Sequence, residues 1–142
     1  MGGLRVLIVD DYDPDRRFAT IMLERSGAFA SVQEVTSADA ALAYCRELAL
    51  GTALPIDVIL LDINMPRTNG FEFLEAYTDI FGEDLASAPA VVMLTSSDEP
   101  EDQARARGCC RAVIDYVLKP LKVPDAQRLA VKLAQKSCVP RG

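Results

Sequence analysis

Ile56-Asp57-Val58-Ile59-Leu60-Leu61-Asp62 is the stretch that decides the fold. Its apolar run, interrupted by Asp57, has the continuous character of a strand covered on both faces, and it is the natural centre of a sheet. It ends abruptly on a carboxylate. Three other runs also end on chemically loaded residues. Leu4 to Val9 leads into Asp10 and Asp11, Val91 to Leu94 into Thr95, and Val113 to Leu118, broken by Asp115 and Tyr116, into Lys119 and Pro120. If these runs are neighbouring parallel strands, their C-terminal ends share one edge of one sheet, where open α/β sheets bind ligands. That edge then gathers carboxylates, a hydroxyl and an ammonium, a set that suits a divalent metal and a phosphoryl group.

Working outward, strand and helix alternate five times. The strands are expected at Leu4–Val9, Ala30–Val35, Ile56–Leu61, Ala90–Leu94 and Ala112–Leu118. In the first helix Asp13 is a candidate cap and Pro14 fits the first turn, where a missing N–H costs nothing. Phe18, Ile21 and Met22 mark its inward stripe, and Gly27 ends it. Ser37 caps the second helix, with Ala41, Leu42, Cys45, Leu48 and Ala49 at helical spacing, and 51–55 forms a loop. The third helix is expected over Phe71–Phe81 with Phe71, Leu74, Thr78 and Phe81 inward, followed by a loop over 82–89. The fourth starts near Ser97 or Asp98, with Pro100 in its first turn, and stops before Gly108. The fifth is expected over Pro124–Lys136 with Ala126, Leu129, Ala130, Leu133 and Ala134 at i, i+3, i+4, i+7 and i+8. Such alternation implies an α/β, flavodoxin-like, doubly wound parallel sheet of order 2-1-3-4-5 with five helices. Its switch point lies between strands one and three, which deliver Asp10, Asp11 and Asp62.

The 142 residues fit one domain, 1–142, with a core of about 4–137 and a frayed tail from Cys138. Half of the chain is hydrophobic, enough for a core without disulfides or structural metals. A net charge of −6 argues against direct nucleic-acid binding or a membrane-surface role, because both need a concentrated positive field. No apolar run approaches the roughly 18 to 20 residues that span a bilayer. The start has neither a basic segment nor a signal-peptide core, so a cytoplasmic protein is expected. The cysteines, Cys45, Cys109, Cys110 and Cys138, form no C-x-x-C pair and read as free thiols, at least partly buried. There is no histidine, which excludes a histidine base or triad and any phosphohistidine on this chain.

Asp10, Asp11 and Asp62 within a few ångströms repel one another unless a cation sits among them, and hard oxygen ligands suit Mg²⁺. The plainer alternative is that Asp10 or Asp11 caps the following turn. Asp62, after the central strand, is best placed to attack phosphorus. Phosphoryl transfer then needs the three equatorial oxygens held and their charge neutralised: by Mg²⁺, by Lys119 and by the Thr95 hydroxyl, with backbone N–H groups adding donors. A lysine at the end of an apolar strand is costly without anionic partners, its alternative being a snorkelling surface side chain. A cis bond at Lys119-Pro120 is compatible with the general proline bias. Pro66 limits φ in the loop after Asp62, and Gly70 allows close backbone approach or a tight turn before the third helix.

Taken together, V-D-D at 9–11, L-L-D-I-N-M-P-R-T-N-G at 60–70, L-T-S-S at 94–97 and Y-V-L-K-P at 116–120 resemble the receiver domain of two-component response regulators over essentially the whole chain. The resemblance implies that Asp62 is the phosphoacceptor, and that Asp11, Asp62 and the backbone carbonyl of Asn64 ligate Mg²⁺ while Asp10 acts through water. It makes Thr95 the switch hydroxyl, Lys119 the phosphoryl contact, and Asn64 and Ser97 positions that tune hydrolysis. From spacing alone Tyr116 is equally a half-buried strand tyrosine; the resemblance favours a switch aromatic that turns when Thr95 moves. Phosphorylation would then change the surface of the fourth helix, fifth strand and fifth helix. Glu101, Asp102, Arg105 and Arg107 on the fourth helix read singly as a solvated face and together as a partner surface.

The expected function is that of a stand-alone receiver, phosphorylated by a sensor histidine kinase or a histidine phosphotransfer protein acting in trans. Slow autodephosphorylation resets it, and its output goes to an unidentified downstream protein or a phosphorylation-dependent dimer. A receiver fragment of a larger regulator would give the same picture, although the fifth helix ends close to the C-terminus. A Mg²⁺-dependent phosphatase would need a general acid two residues after its nucleophile, where Asn64 stands, and room for a substrate cap. A flavin-type module would place an anionic phosphate against an acidic edge.

Overall fold

The expected alternation holds in the computed structural model, which describes residues 3–63, 65, 67–82, 88–96, 101, 104, 105, 108 and 110–138. Strand β1 (Leu4–Val9), helix α1 (Asp13–Ser26), β2 (Phe29–Val35), α2 (Ala38–Leu50), β3 (Val58–Asp62), α3 (Gly70–Phe81), β4 (Ala90–Thr95), β5 (Val113–Leu118) and α4 (Val123–Cys138) follow in order. The expected fourth helix falls between β4 and β5. Glu101, Ala104, Arg105 and Gly108 are helical there, whereas the expected helix stopped before Gly108. Ser97, Asp98, Pro100, Asp102 and Arg107 lie outside the described residues. The helix expected fifth is therefore α4.

All neighbouring strands are parallel, in the order β2-β1-β3-β4-β5. Strand side chains alternate between faces, and two apolar layers result. Leu7, Val9, Ile59, Leu61, Val91 and Met93 pack with Ala41, Leu42 and Cys45 of α2 and with Phe71, Phe73, Leu74 and Tyr77 of α3. Val6, Ile8, Val58, Leu60, Val92 and Leu94 pack with Ala19 and Leu23 of α1 and with Ala126, Leu129 and Leu133 of α4. The central strands are buried on both faces, which is why they read as unbroken apolar runs.

The inward stripe of α1 differs from expectation. Ala19 and Leu23 are buried, whereas Phe18 and Ile21 are 40% and 41% exposed. Ala19 and Leu23 are the α1 residues that pack with Val6 and Ile8 of the sheet and with Ala126 and Leu129 of α4. Asp13 is not the cap either: the extended residue before the helix is Tyr12, whose side chain caps nothing, and Asp13 is the first helical residue. Its charge still favours the positive end of the helix dipole. Ser37 does cap α2, accepting from the Ala40 N–H at 3.1 Å. Ala49 and Ala134, expected inward, are exposed. Helix α3 buries Phe73 and Tyr77 in addition to Phe71 and Leu74. It opens with a reciprocal cap in which Asn69 accepts from the Glu72 N–H at 2.9 Å and Glu72 accepts from the Asn69 N–H at 3.1 Å.

Cys45 and Cys110 are buried free thiols, as expected, while Cys109 lies outside the described residues. Burial pushes the Cys45 thiol up to about 12, only partly offset by Arg46, so it is a packing group rather than a reactive one. Among the described residues no helix is long and apolar enough to cross a membrane.

Candidate functional site

Strand register builds the site. Val9 pairs with Leu61, so Asp10 and Asp62, the next residue on each strand, emerge side by side. Asp62 pairs with Leu94 and Thr95 with Leu118, which brings Thr95 and Lys119 to the same edge. The Lys119 backbone N–H donates to the Thr95 carbonyl at 2.7 Å, and the Lys119-Pro120 bond is cis. One carboxylate oxygen from each of Asp10, Asp11 and Asp62 lies within 4.8 Å of the others. Asp10, Asp62 and Thr95 are buried, while Asp11 faces solvent. This is a buried floor with an open acidic mouth. Its donors are all oxygen, the chemistry that fits a hard divalent cation such as Mg²⁺.

Lys119 lies across this cluster. Its Nζ donates to Asp10 Oδ2 at 2.8 Å and to Asp15 Oδ2 at 2.8 Å, and stands 3.5 Å from Asp62 Oδ1. Burial alone would lower an ammonium pKa. The hydrogen bonds to Asp10 and Asp15 and the charge of Asp62 outweigh it, so Lys119 is held above the ordinary lysine value and stays protonated. The expected anionic partners are present, and the side chain does not snorkel to solvent. Asp10 takes the plainer role considered for it, holding the turn that follows, and also pairs with Lys119. Oδ1 accepts from the Tyr12 N–H at 2.9 Å, holding the turn after β1, while Oδ2 takes Lys119.

The loop after Asp62 is clamped by close backbone packing. The Gly70 N–H donates to the Ile63 carbonyl at 2.9 Å. A Cβ on Gly70 would lie 2.9 Å from Ile63 Cα and 3.2 Å from the Asp62 carbonyl oxygen, so a side chain has no room there. Asn64, whose carbonyl is an expected ligand, and Pro66 lie outside the described residues.

Tyr116 reaches its place through an irregularity. Val91 pairs with Val113, but Val92 pairs with Asp115, so one extra residue is accommodated in β5. Tyr116 therefore stands opposite Met93 and packs against the α2/α3 layer. Alternation along β4 puts Thr95 on that same face, two residues beyond Met93. The bulge also turns Asp115 toward α4, where it meets Arg128 Nε at 3.3 Å and Lys132 Nζ at 3.2 Å and accepts from the Tyr116 N–H at 2.8 Å. Burial works against the Asp115 carboxylate, but the Tyr116 N–H, Lys132 and Arg128 together hold it below the usual range.

The family model for the response regulator receiver domain matches residues 6–131. The chain belongs to that family. A two-component response regulator of Oryza sativa, ORR1, is 36% identical over 131 residues, covering 90% of this chain and 54% of the rice protein. An uncharacterized response regulatory protein of Yersinia pestis is 34% identical over 134 residues, covering 94% of this chain and 48% of its own length. This receiver thus spans about half the length of these relatives. A solved two-component response regulator from Cytophaga hutchinsonii superposes with a TM-score of 0.84 at 31% identity, covering 95% of this chain and 99% of that one. Receivers of this family partner with histidine kinases or phosphotransfer proteins and typically use Mg²⁺ bound by acidic residues.

Two polar groups of the receiver escape a reading along the sequence. Asp15 reaches Lys119 from the first turn of α1. Arg16 donates to the Asp10 carbonyl at 2.8 Å and meets Glu34 at 3.3 Å and also Asp13. The acidic first turn of α1 was visible in the sequence. That it closes on a lysine 104 residues away was not.

Proposed function

We propose that residues 1–142 act as one receiver domain in which Asp62 accepts a phosphoryl group from the phosphohistidine of a sensor histidine kinase or histidine phosphotransfer protein. A carboxylate oxygen of Asp62 attacks phosphorus as the P–N bond breaks, and the electron pair leaves with the donor imidazole, which takes up a proton. The observation that carries this reading is the position of Lys119 Nζ, 3.5 Å from Asp62 Oδ1, beside three carboxylates whose oxygens lie within 4.8 Å of one another.

Asp11, Asp62 and the carbonyl of Asn64 are the proposed Mg²⁺ ligands, with Asp10 acting through water. That part for Asp10 suits a residue whose two oxygens already hold the Tyr12 N–H and Lys119. When bound, Mg²⁺ supplies charge neutralisation at a phosphoryl oxygen. Lys119 and the Thr95 hydroxyl bind the other two oxygens. Water later hydrolyses the aspartyl phosphate slowly, at a rate tuned by Asn64 and Ser97. Thr95 moving toward the phosphoryl group opens space for Tyr116, which shares its face of the sheet. The surface formed by the segment between β4 and β5, by β5 and by α4 then changes for a downstream protein or a second copy of the chain.

Phosphodonor labelling tests this directly. Wild-type protein should acquire a hydroxylamine-sensitive acyl phosphate in Mg²⁺, and Asp62→Ala should acquire none. Persistent labelling of the variant would sink the assignment.

A further inference from the structure

One contact of Lys119 has no part in the proposed phosphoryl transfer to Asp62. Lys119 Nζ donates to Asp15 Oδ2 at 2.8 Å, as short as its bond to Asp10. Asp15 is not part of the three-carboxylate cluster of Asp10, Asp11 and Asp62. An ammonium has three protons to donate. Two are committed, to Asp10 and Asp15, while Asp62 Oδ1 stands farther off at 3.5 Å.

The two committed partners are not equivalent. The Asp10 side chain is 1% exposed, and its other oxygen holds the turn after β1. Losing Lys119 would leave a buried charge uncompensated. The Asp15 side chain is 38% exposed, so water can replace the ammonium at modest cost. Asp15 is nonetheless held in place. It sits in the first turn of α1, and the next residue, Arg16, ties that turn to the Asp10 carbonyl at 2.8 Å and to Glu34 at 3.3 Å.

Resting on the assignment of Asp62 as phosphoacceptor, we propose that Asp15 is a positioning residue that competes with the phosphoryl group for Lys119. In the resting protein it draws the ammonium toward α1. A phosphoryl group on Asp62 offers Lys119 a stronger anionic partner, and the lysine exchanges Asp15 for a phosphoryl oxygen while keeping Asp10. Asp15 thereby opposes occupation of the site without touching the phosphoryl group.

Beryllofluoride, a phosphoryl mimic, tests the exchange by ¹⁹F NMR titration at saturating Mg²⁺. Asp15→Asn should bind it roughly two- to fivefold more tightly than wild type, the size expected of one partly exposed ion pair. Asp15→Glu should restore wild-type binding. Asp13→Asn removes a neighbouring charge that does not reach Lys119, and should leave affinity unchanged. In the resting Asp15→Asn protein the Lys119 side-chain amine resonance should already lie part of the way toward its position in beryllofluoride-bound wild type. Unchanged or weaker binding by Asp15→Asn, or equal tightening by Asp13→Asn, overturns the competition. Wild-type protein that takes no beryllofluoride overturns the phosphoacceptor assignment and this inference together. Binding by wild type without a response to Asp15→Asn overturns this inference alone.

Discussion

Replacing Lys119 with methionine keeps a long apolar stem and removes the charge shared by Asp10, Asp15 and Asp62. Breaking a buried ion pair by removing one partner typically costs about 3–5 kcal/mol. Lys119 is 14% exposed and Asp10 lies almost wholly inside, so that pair belongs to this class. The partly exposed Asp15 pair adds only about 0.2–1 kcal/mol. Against these stands the desolvation of the ammonium, which the variant no longer bears. The net expectation for Lys119→Met in a chelating buffer is a loss of about 2–4 kcal/mol, a large part of the roughly 5–15 kcal/mol available to a small domain. A divalent cation can replace the missing positive charge, so saturating Mg²⁺ should recover more stability in the variant than it adds to wild type. Urea unfolding followed by circular dichroism, in EDTA and in Mg²⁺, reads both quantities, with the denaturant slope expected to stay constant. A variant as stable as wild type in EDTA, or an equal gain from Mg²⁺ in both proteins, would show that Lys119 does not neutralise this cluster.

Gly70→Ala should destabilise the protein by about 1–2 kcal/mol, an overpacking cost reduced by the better helix propensity of alanine, and should slow Asp62 labelling because the clash falls on Ile63 and the Asp62 carbonyl; urea melts and labelling rates check it, and a more stable variant would contradict it. Asp115 has a depressed pKa, so its stabilising contribution is present above the unfolded carboxylate value near 3.9 and is lost as pH falls through the lower folded value. Asp115→Asn should therefore be less stable than wild type at neutral pH by about 1 kcal/mol, with the difference shrinking toward acid in parallel melts. The Tyr77 hydroxyl donates to the Pro89 carbonyl at 2.6 Å in the core, and Tyr77→Phe should cost about 1–2 kcal/mol by thermal or urea unfolding, with no effect on labelling of Asp62.

Much of the site was legible from strand ends. Asp10, Asp62, Thr95 and Lys119 could be placed on one edge because each closes an apolar run, and parallel strands joined by helices have no other way to arrange those ends. Gly70 was legible as either a close backbone approach or a tight turn, and only the packing of Ile63 against it decides for the close approach. The phase of α1 was not. Phe18, Ile21 and Met22 form as good an apolar stripe as Ala19 and Leu23, and only packing against the sheet and α4 chooses between them. Asn69 and Glu72 carry a capping-box pattern, a local signal along the sequence that marks the start of α3.

The sequence by itself determined the alternation of strands and helices, the order of the sheet and the chemical character of its C-terminal edge, because these follow from local periodicity and from the few connections that parallel strands allow. Only the tertiary structure decided which partners Lys119 takes, since Asp10 and Asp15 lie 109 and 104 residues away along the chain. It also decided which way Tyr116 faces. One extra residue in β5 reverses the side of the sheet on which everything after it lies, and that bulge is a property of how β4 and β5 pair rather than of either strand alone.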